Sequence, residues 1–283
     1  MTTEKTNPPL YYETRGEGYP LIVLHALATD HRSMMAWMEP LFEQRPGWKR
    51  IYVDIPAHGR SPVEPWMKTS DDLLSVLLDG LRAILPDNER FALMGMSFGG
   101  YMAQGIWRAE HRRADGLCLL APALHRKTRT LPERSVPVRD EALLAELDPE
   151  VRAAFETLAT VQSRETWELF REEWQPGRPL ADRAFLSSEW RTQGYHFQCD
   201  PIPEDSRFPQ PTLFLLGRQD VICGYKDHFA VLESFPRATY AVLDGAGHLL
   251  QLEQRELVQH HVGLWLDTVK REKPAGSGAS EFI

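Results

Sequence analysis

At 283 residues, with 42% hydrophobic and 25% charged side chains, the chain can bury the core of one large domain, or of one domain carrying an insertion. Its formal net charge of −8 argues against a groove for nucleic acid, which would need clustered Lys and Arg to displace counterions. No apolar run approaches the ~18 residues of a membrane helix, so a membrane partner is not expected.

Met1 to Pro9 is polar and lacks the apolar stretch of a secretory signal. The three cysteines, Cys118, Cys199 and Cys223, form neither a disulfide framework nor a CxxC metal pair. A reducing cytoplasm is the expected compartment, and neither a metal nor an organic cofactor is expected. Arg126, Lys127 and Arg129 stand close together and read as a solvated basic segment.

Taken in chain order, short apolar runs alternate with longer amphipathic ones. Leu10 to Thr14 and then Leu21 suggest an N-terminal antiparallel hairpin. Leu21 to His25, Arg50 to Ile55, Phe91 to Met94, Gly116 to Leu120, Thr212 to Leu216 and Thr239 to Leu243 read as buried strands. Asp71 to Leu85, Gly99 to Arg108, Tyr225 to Phe235 and Glu253 to Val269 read as helices. This alternation predicts an α/β fold, a mostly parallel sheet flanked by helices.

One region breaks the alternation. Residues 122–209 contain no strand-like run and are too long for a loop, so they predict an inserted helical lid on a core made of residues 1–121 and 210–272. Within it, Glu141 to Val161 repeats Leu143, Leu144, Leu147, Val151, Phe155 and Leu158 at helical spacing, and Glu165 to Trp174 and Asp182 to Trp190 follow. Residues 273–283, rich in Gly and Ser, are expected to be a disordered tail. The lid is rich in aromatic residues; His25, Trp167, Trp174 and Trp190 are candidate substrate contacts, and a fairly apolar substrate is expected.

Gly95-Met96-Ser97-Phe98-Gly99 fits G-x-S-x-G. The spacing alone is weak, but it directly follows the run Phe91 to Met94 and opens a helix, the strand–turn–helix setting in which a tight turn exposes a nucleophilic hydroxyl. A serine needs an adjacent base, and the base needs an orienting acid. His248, in the small-residue turn Asp244-Gly245-Ala246-Gly247-His248, is the candidate base, ahead of His25, His58, His196, His260 and His261. Asp220, just past the strand Thr212 to Leu216, is the candidate acid, ahead of Asp244 and Asp200. Backbone N–H groups of Phe98 and Leu27 are the candidate oxyanion donors.

His25-Ala26-Leu27-Ala28-Thr29-Asp30, Asp54-Ile55-Pro56-Ala57-His58-Gly59-Arg60-Ser61, the Ser97 elbow, and Gly217 to Asp220 with Gly245 to His248 together resemble the α/β-hydrolase superfamily. The resemblance spans roughly residues 10–122 and 207–270, and leaves the lid unmatched in detail. The family usually has Gly where this chain has Ala26 and Ala57. It implies an α/β-hydrolase fold and a serine hydrolase acting without cofactor on a small-molecule ester or lactone, as a monomer or homodimer. Alternatives are a carbon–carbon bond hydrolase, with Arg191 or Arg183 binding a dienoate carboxylate, a proline-iminopeptidase-like amidase, and a non-catalytic ligand receptor.

Overall fold

The computed structural model describes residues 9–272; the tail 273–283 lies outside them. Seven strands form the main sheet: β1 (Tyr12–Arg15), β2 (Tyr19–Leu24), β3 (Trp48–Val53), β4 (Phe91–Met96), β5 (Ala114–Leu120), β8 (Thr212–Gly217) and β9 (Ala238–Leu243). The order is β1-β3-β2-β4-β5-β8-β9, with every neighbouring pair parallel except β1 with β3. Every residue of β2, β4, β5 and β8 is buried, which is why these segments read as continuous apolar runs.

The predicted N-terminal hairpin does not form. β1 pairs with β3, Tyr12 facing Val53, while β2 lies one place further in, between β3 and β4. The mostly exposed, polar β1 suits a sheet edge, whereas the fully buried β2 requires a neighbour on each side.

Helices cover both faces. On one side, Met34, Trp37 and Met38 of α1 (Arg32–Phe42) and Val258, Val262 and Leu266 of α9 (Arg255–Glu272) join one apolar core. On the other, Leu73 and Leu77 of α2 (Ser70–Ile84) and Ile106 of α3 (Phe98–Glu110) join a second. Thr69 and Asp72 close a reciprocal capping box at the start of α2. The predicted helix Tyr225 to Phe235 is instead a 3-10 helix, Lys226–Ser234.

Between β5 and β8 the chain forms short pieces rather than long helices. The expected helix Glu141 to Val161 is split into α4 (Glu141–Glu146) and α5 (Pro149–Leu158), because Pro149 starts a new helix capped by Asp148. β6 (Val138–Arg139) pairs with β7 (Val161–Gln162), a two-residue ladder that the sequence did not suggest. Then come α6 (Arg164–Leu169), a π turn at Phe170–Trp174, 3-10 turns at Gln175–Leu180 and Glu189–Arg191, and α7 (Arg183–Leu186) between those turns. This segment attaches to both cores: Phe155, Phe170 and Trp174 enter the first, Trp190 and Phe197 the second.

Candidate active site

Ser97 occupies the single position between β4 and α3, with φ 52° and ψ −115°. A side chain in that region is strained, by roughly 1–3 kcal/mol, and persists only where its surroundings enforce it. The flanking glycines show the enforcement: a Cβ at Gly95 would meet the Gly99 carbonyl oxygen at 2.3 Å, and one at Gly99 would meet the His25 carbonyl oxygen at 2.3 Å. The backbone thus closes tightly behind the serine and presents its hydroxyl at the end of the sheet.

The loops after β8 and β9 bring the predicted partners to it. The Ser97 hydroxyl lies 2.9 Å from His248 Nε2, and His248 Nδ1 lies 3.0 Å from Asp220 Oδ2. With the Nδ1 proton donated to Asp220, Nε2 is left to accept from Ser97. Ser97, Asp220 and His248 are all buried. Burial pushes the Asp220 carboxyl up, but His248 and the N–H groups of Cys223 and Ile222 more than offset it, so its pKa falls below the usual carboxylate value. Those amides donate to Oδ1 at 3.0 and 2.7 Å. Asp244 and Asp200 are both exposed, and Asp244 accepts from Gln219 instead.

A cavity of about 1060 Å³ opens over Ser97, with Ser97, Phe98, Leu27 and His248 in its wall. The Phe98 and Leu27 amides donate to no backbone or side-chain acceptor among the described residues and so remain available to a ligand oxygen. Ala26, where the family usually has Gly, is buried and holds this loop: its carbonyl accepts from the Thr29 amide and hydroxyl. Ala57 adopts φ 71°, a left-handed conformation that explains the usual glycine there.

The candidate substrate contacts divide. Trp174 lines the cavity. His25 does not: it is fully buried, donating from Nδ1 to the Ala26 carbonyl at 2.8 Å and accepting at Nε2 from the Ile55 amide at 3.0 Å, which makes it a brace for the loop. Trp167 stacks edge-on against Phe155, and Trp190 against the Phe98 ring from behind, so both are packing residues outside the cavity wall. His260 and His261 pair with each other on α9, while His58 is buried beside His25. Of the competing histidines only His196 reaches the cavity wall.

Three residues to which the sequence assigned no role in the site are found here. Cys223, three positions beyond Asp220, is buried and in contact with the Ser97 hydroxyl; burial and Asp220 push its thiol up to about 12. Its sulfur, Asp220 and His248 form the one grouping among the described residues with ligand atoms close enough for a metal, and it coincides with the site itself. Glu253 accepts from the amides of Thr160 and Val161 at 2.5 and 3.0 Å and from Gly247, next to His248, at 2.6 Å. Burial raises its carboxyl to about 7 against the pull of those donors. Arg129 stands beside Cys223, its guanidinium nitrogen 3.9 Å from the sulfur. Nothing in local spacing marks Glu253 or Arg129, since each contacts a segment remote in sequence.

A nucleophile at a strained strand–helix turn, an imidazole and a buried carboxylate, all at the ends of parallel strands, define a hydrolase site of a particular architecture. The sequence matches the alpha/beta hydrolase family over residues 21–260, and the chain belongs to that family. It is similar to a pimeloyl-[acyl-carrier protein] methyl ester esterase of Shewanella sp. (strain MR-7), 29% identical over 77% of this chain and 80% of the relative. Among solved structures it is similar to an alpha/beta superfamily hydrolase from Oenococcus oeni PSU-1, with TM-score 0.82 and 26% identity over 92% of this chain and 96% of the other. An esterase from Thermogutta terrifontis shares the fold with TM-score 0.67 and 24% identity over 95% and 96%. The chain is therefore a hydrolase, and it has esterase relatives.

Proposed function

We propose that this hydrolase is a serine esterase that cleaves a small carboxylic ester or lactone through an acyl-enzyme. The observation that carries this reading is the continuous relay of hydrogen bonds from the Ser97 hydroxyl through His248 to Asp220 beneath an open cavity. The relatives named as methyl ester esterases lend support at the level of bond type. Ser97 attacks the carbonyl while His248 takes its proton and Asp220 stabilises the imidazolium. The Phe98 and Leu27 amides receive the oxyanion, aided by the N-terminus of α3. The alcohol leaves with the proton from His248, and water deprotonated by the same imidazole then releases the acid. No step needs a metal.

Residues 122–209 act as the cap that selects the substrate, since Trp174 and much of the cavity roof come from them. A fluorophosphonate probe followed by peptide mapping tests the core of the reading: a single adduct on Ser97, abolished by Ser97→Ala, is expected. Labelling that persists in that variant, or that falls on another residue, overturns it.

A further inference from the structure

The cavity wall carries the aromatics Trp174 and Tyr195 from the inserted segment, but also a set of cations. Arg126, Lys127, Arg129, Arg178 and Arg191 line the space above Ser97, and among the described residues no Asp or Glu lines it, in a chain with net charge −8. Arg191 is exposed. Of the basic segment, Arg126 and Lys127 are exposed, as a solvated segment would be, while bordering the cavity together with the half-buried Arg129. Elsewhere guanidinium groups hold carboxylates: Arg50 with Glu39, Arg139 with Glu156, Arg255 with Glu173. Among the described residues, none of the five cavity cations lies within the 4.0 Å ion-pair distance of a carboxylate.

Two of these cations are held close to the chemistry. Arg129 is half-buried, donates to the Ile222 carbonyl at 2.8 Å and touches Cys223, which itself contacts the Ser97 hydroxyl. It stands one side chain away from the nucleophile. Its guanidinium also meets the Tyr195 hydroxyl, and Arg191 lies over the Tyr195 ring at 5.6 Å, so the two converge on one side of the cavity. Arg178, also half-buried, is further back; burial and the neighbouring Arg183 lower its pKa. Burial works against the Arg129 charge, but its neighbours, Asp220 among them, more than offset it and raise its pKa, so the cation is kept with no carboxylate in direct contact; a guanidinium fork matches a carboxylate in shape.

We propose that the substrate is a short dicarboxylic acid esterified at one end, its free carboxylate held by Arg129 and Arg191 while the ester carbonyl lies against Ser97. This rests on the esterase reading above and names its substrate class. The anion is placed on the acyl part, close to the ester carbonyl, because Arg129 touches Cys223, which contacts the Ser97 hydroxyl. Hydrolysis adds water, breaks the acyl C–O bond, releases the alcohol and converts the monoanion to a dicarboxylate with loss of one proton.

The test compares kcat/KM for monomethyl glutarate with that for methyl pentanoate, which has the same chain length without the charge. The expected preference for the anion is at least about tenfold, shrinking as salt is raised. Arg129→Met and Arg191→Met should each lower that ratio by roughly tenfold, with fluorophosphonate labelling of Ser97 reporting that the site still folds. A ratio near unity in the wild type, or one unchanged in both variants, overturns the proposal. A stronger preference for acetoxyacetate, which carries its carboxylate on the leaving group, overturns the acyl-side assignment. In a Ser97→Ala background, calorimetry with glutarate reads the anion site without turnover, and binding weakened by Arg129→Met is expected. If no ester is hydrolysed and Ser97 resists the probe, the esterase reading fails, while absence of glutarate binding separately sinks the carboxylate site.

Discussion

Ser97, Asp220 and His248 each follow a strand of the parallel sheet, whereas Arg126, Arg129, Arg178 and Arg191 come from loops and single turns between β5 and β8. The floor of the cavity is fixed by buried strands and by backbone contacts that admit only glycine, which holds reacting groups within a few tenths of an ångström of their positions. The roof is assembled from broken helices anchored through Phe155, Phe170 and Trp190. In the proposed function, chemistry is placed on rigid elements and selectivity on irregular ones.

Removing a floor residue should produce the largest effect. Ser97→Ala or His248→Ala is expected to lower kcat by roughly 10⁴- to 10⁶-fold, and Asp220→Asn somewhat less, with melting temperature retained. Steady-state rates beside thermal denaturation check this; near-normal turnover in Asp220→Asn would assign the acid elsewhere.

Within the roof, residues that pack and residues that face the cavity should separate. Phe155→Ala, at a fully buried site between Trp167 and Phe170, should cost about 3–5 kcal/mol of stability and leave the ratio of kcat/KM between a short and a long acyl ester close to the wild type. Trp174→Ala should shift that ratio severalfold, since its ring is part of the cavity wall. If the two variants exchange these behaviours, the division between anchor and lining drawn above is wrong.

A smaller effect is expected from pH at the seam between floor and roof. Because Glu253 is raised from 4.5 to about 7 in the fold, the folded chain holds its proton more tightly than the unfolded chain does. That contribution to stability is fully present below the ordinary carboxylate value and is lost as pH rises through about 7. Comparing wild type with Glu253→Gln from pH 5 to pH 8, the wild type should lose roughly 2–3 kcal/mol relative to the variant. Parallel profiles would place the carboxyl at an ordinary value.

The same division explains what could be read from sequence. The strands were legible because burial on both faces leaves a continuous apolar signature such as Leu21 to Leu24, and the elbow because its glycines are demanded locally. α1 was not legible, although Met34, Trp37, Met38 and Leu41 recur at helical spacing: Pro40 lies inside it and no capping side chain marks its start. β1 was assigned to the wrong partner because an exposed strand carries no signal of what it pairs with. The candidate contacts Trp167 and Trp190 turned inward because aromatic rings gain more by stacking on Phe155 and Phe98 than by facing water. The cavity cations had no periodicity at all, since their convergence is a property of the folded chain alone.

Cys223 gives the site a second potential nucleophile, and an intrinsically better one than a serine hydroxyl. Its side chain shares the cavity wall with Ser97 and contacts the Ser97 hydroxyl. What separates the two is proton ownership: burial and the Asp220 charge push the thiol up to about 12, while His248 hydrogen-bonds to Ser97. In the proposed reaction, chemoselectivity is therefore decided by which hydroxyl or thiol can hand over its proton, not by which atom attacks more readily, and that directs the acyl group to oxygen with sulfur standing beside it.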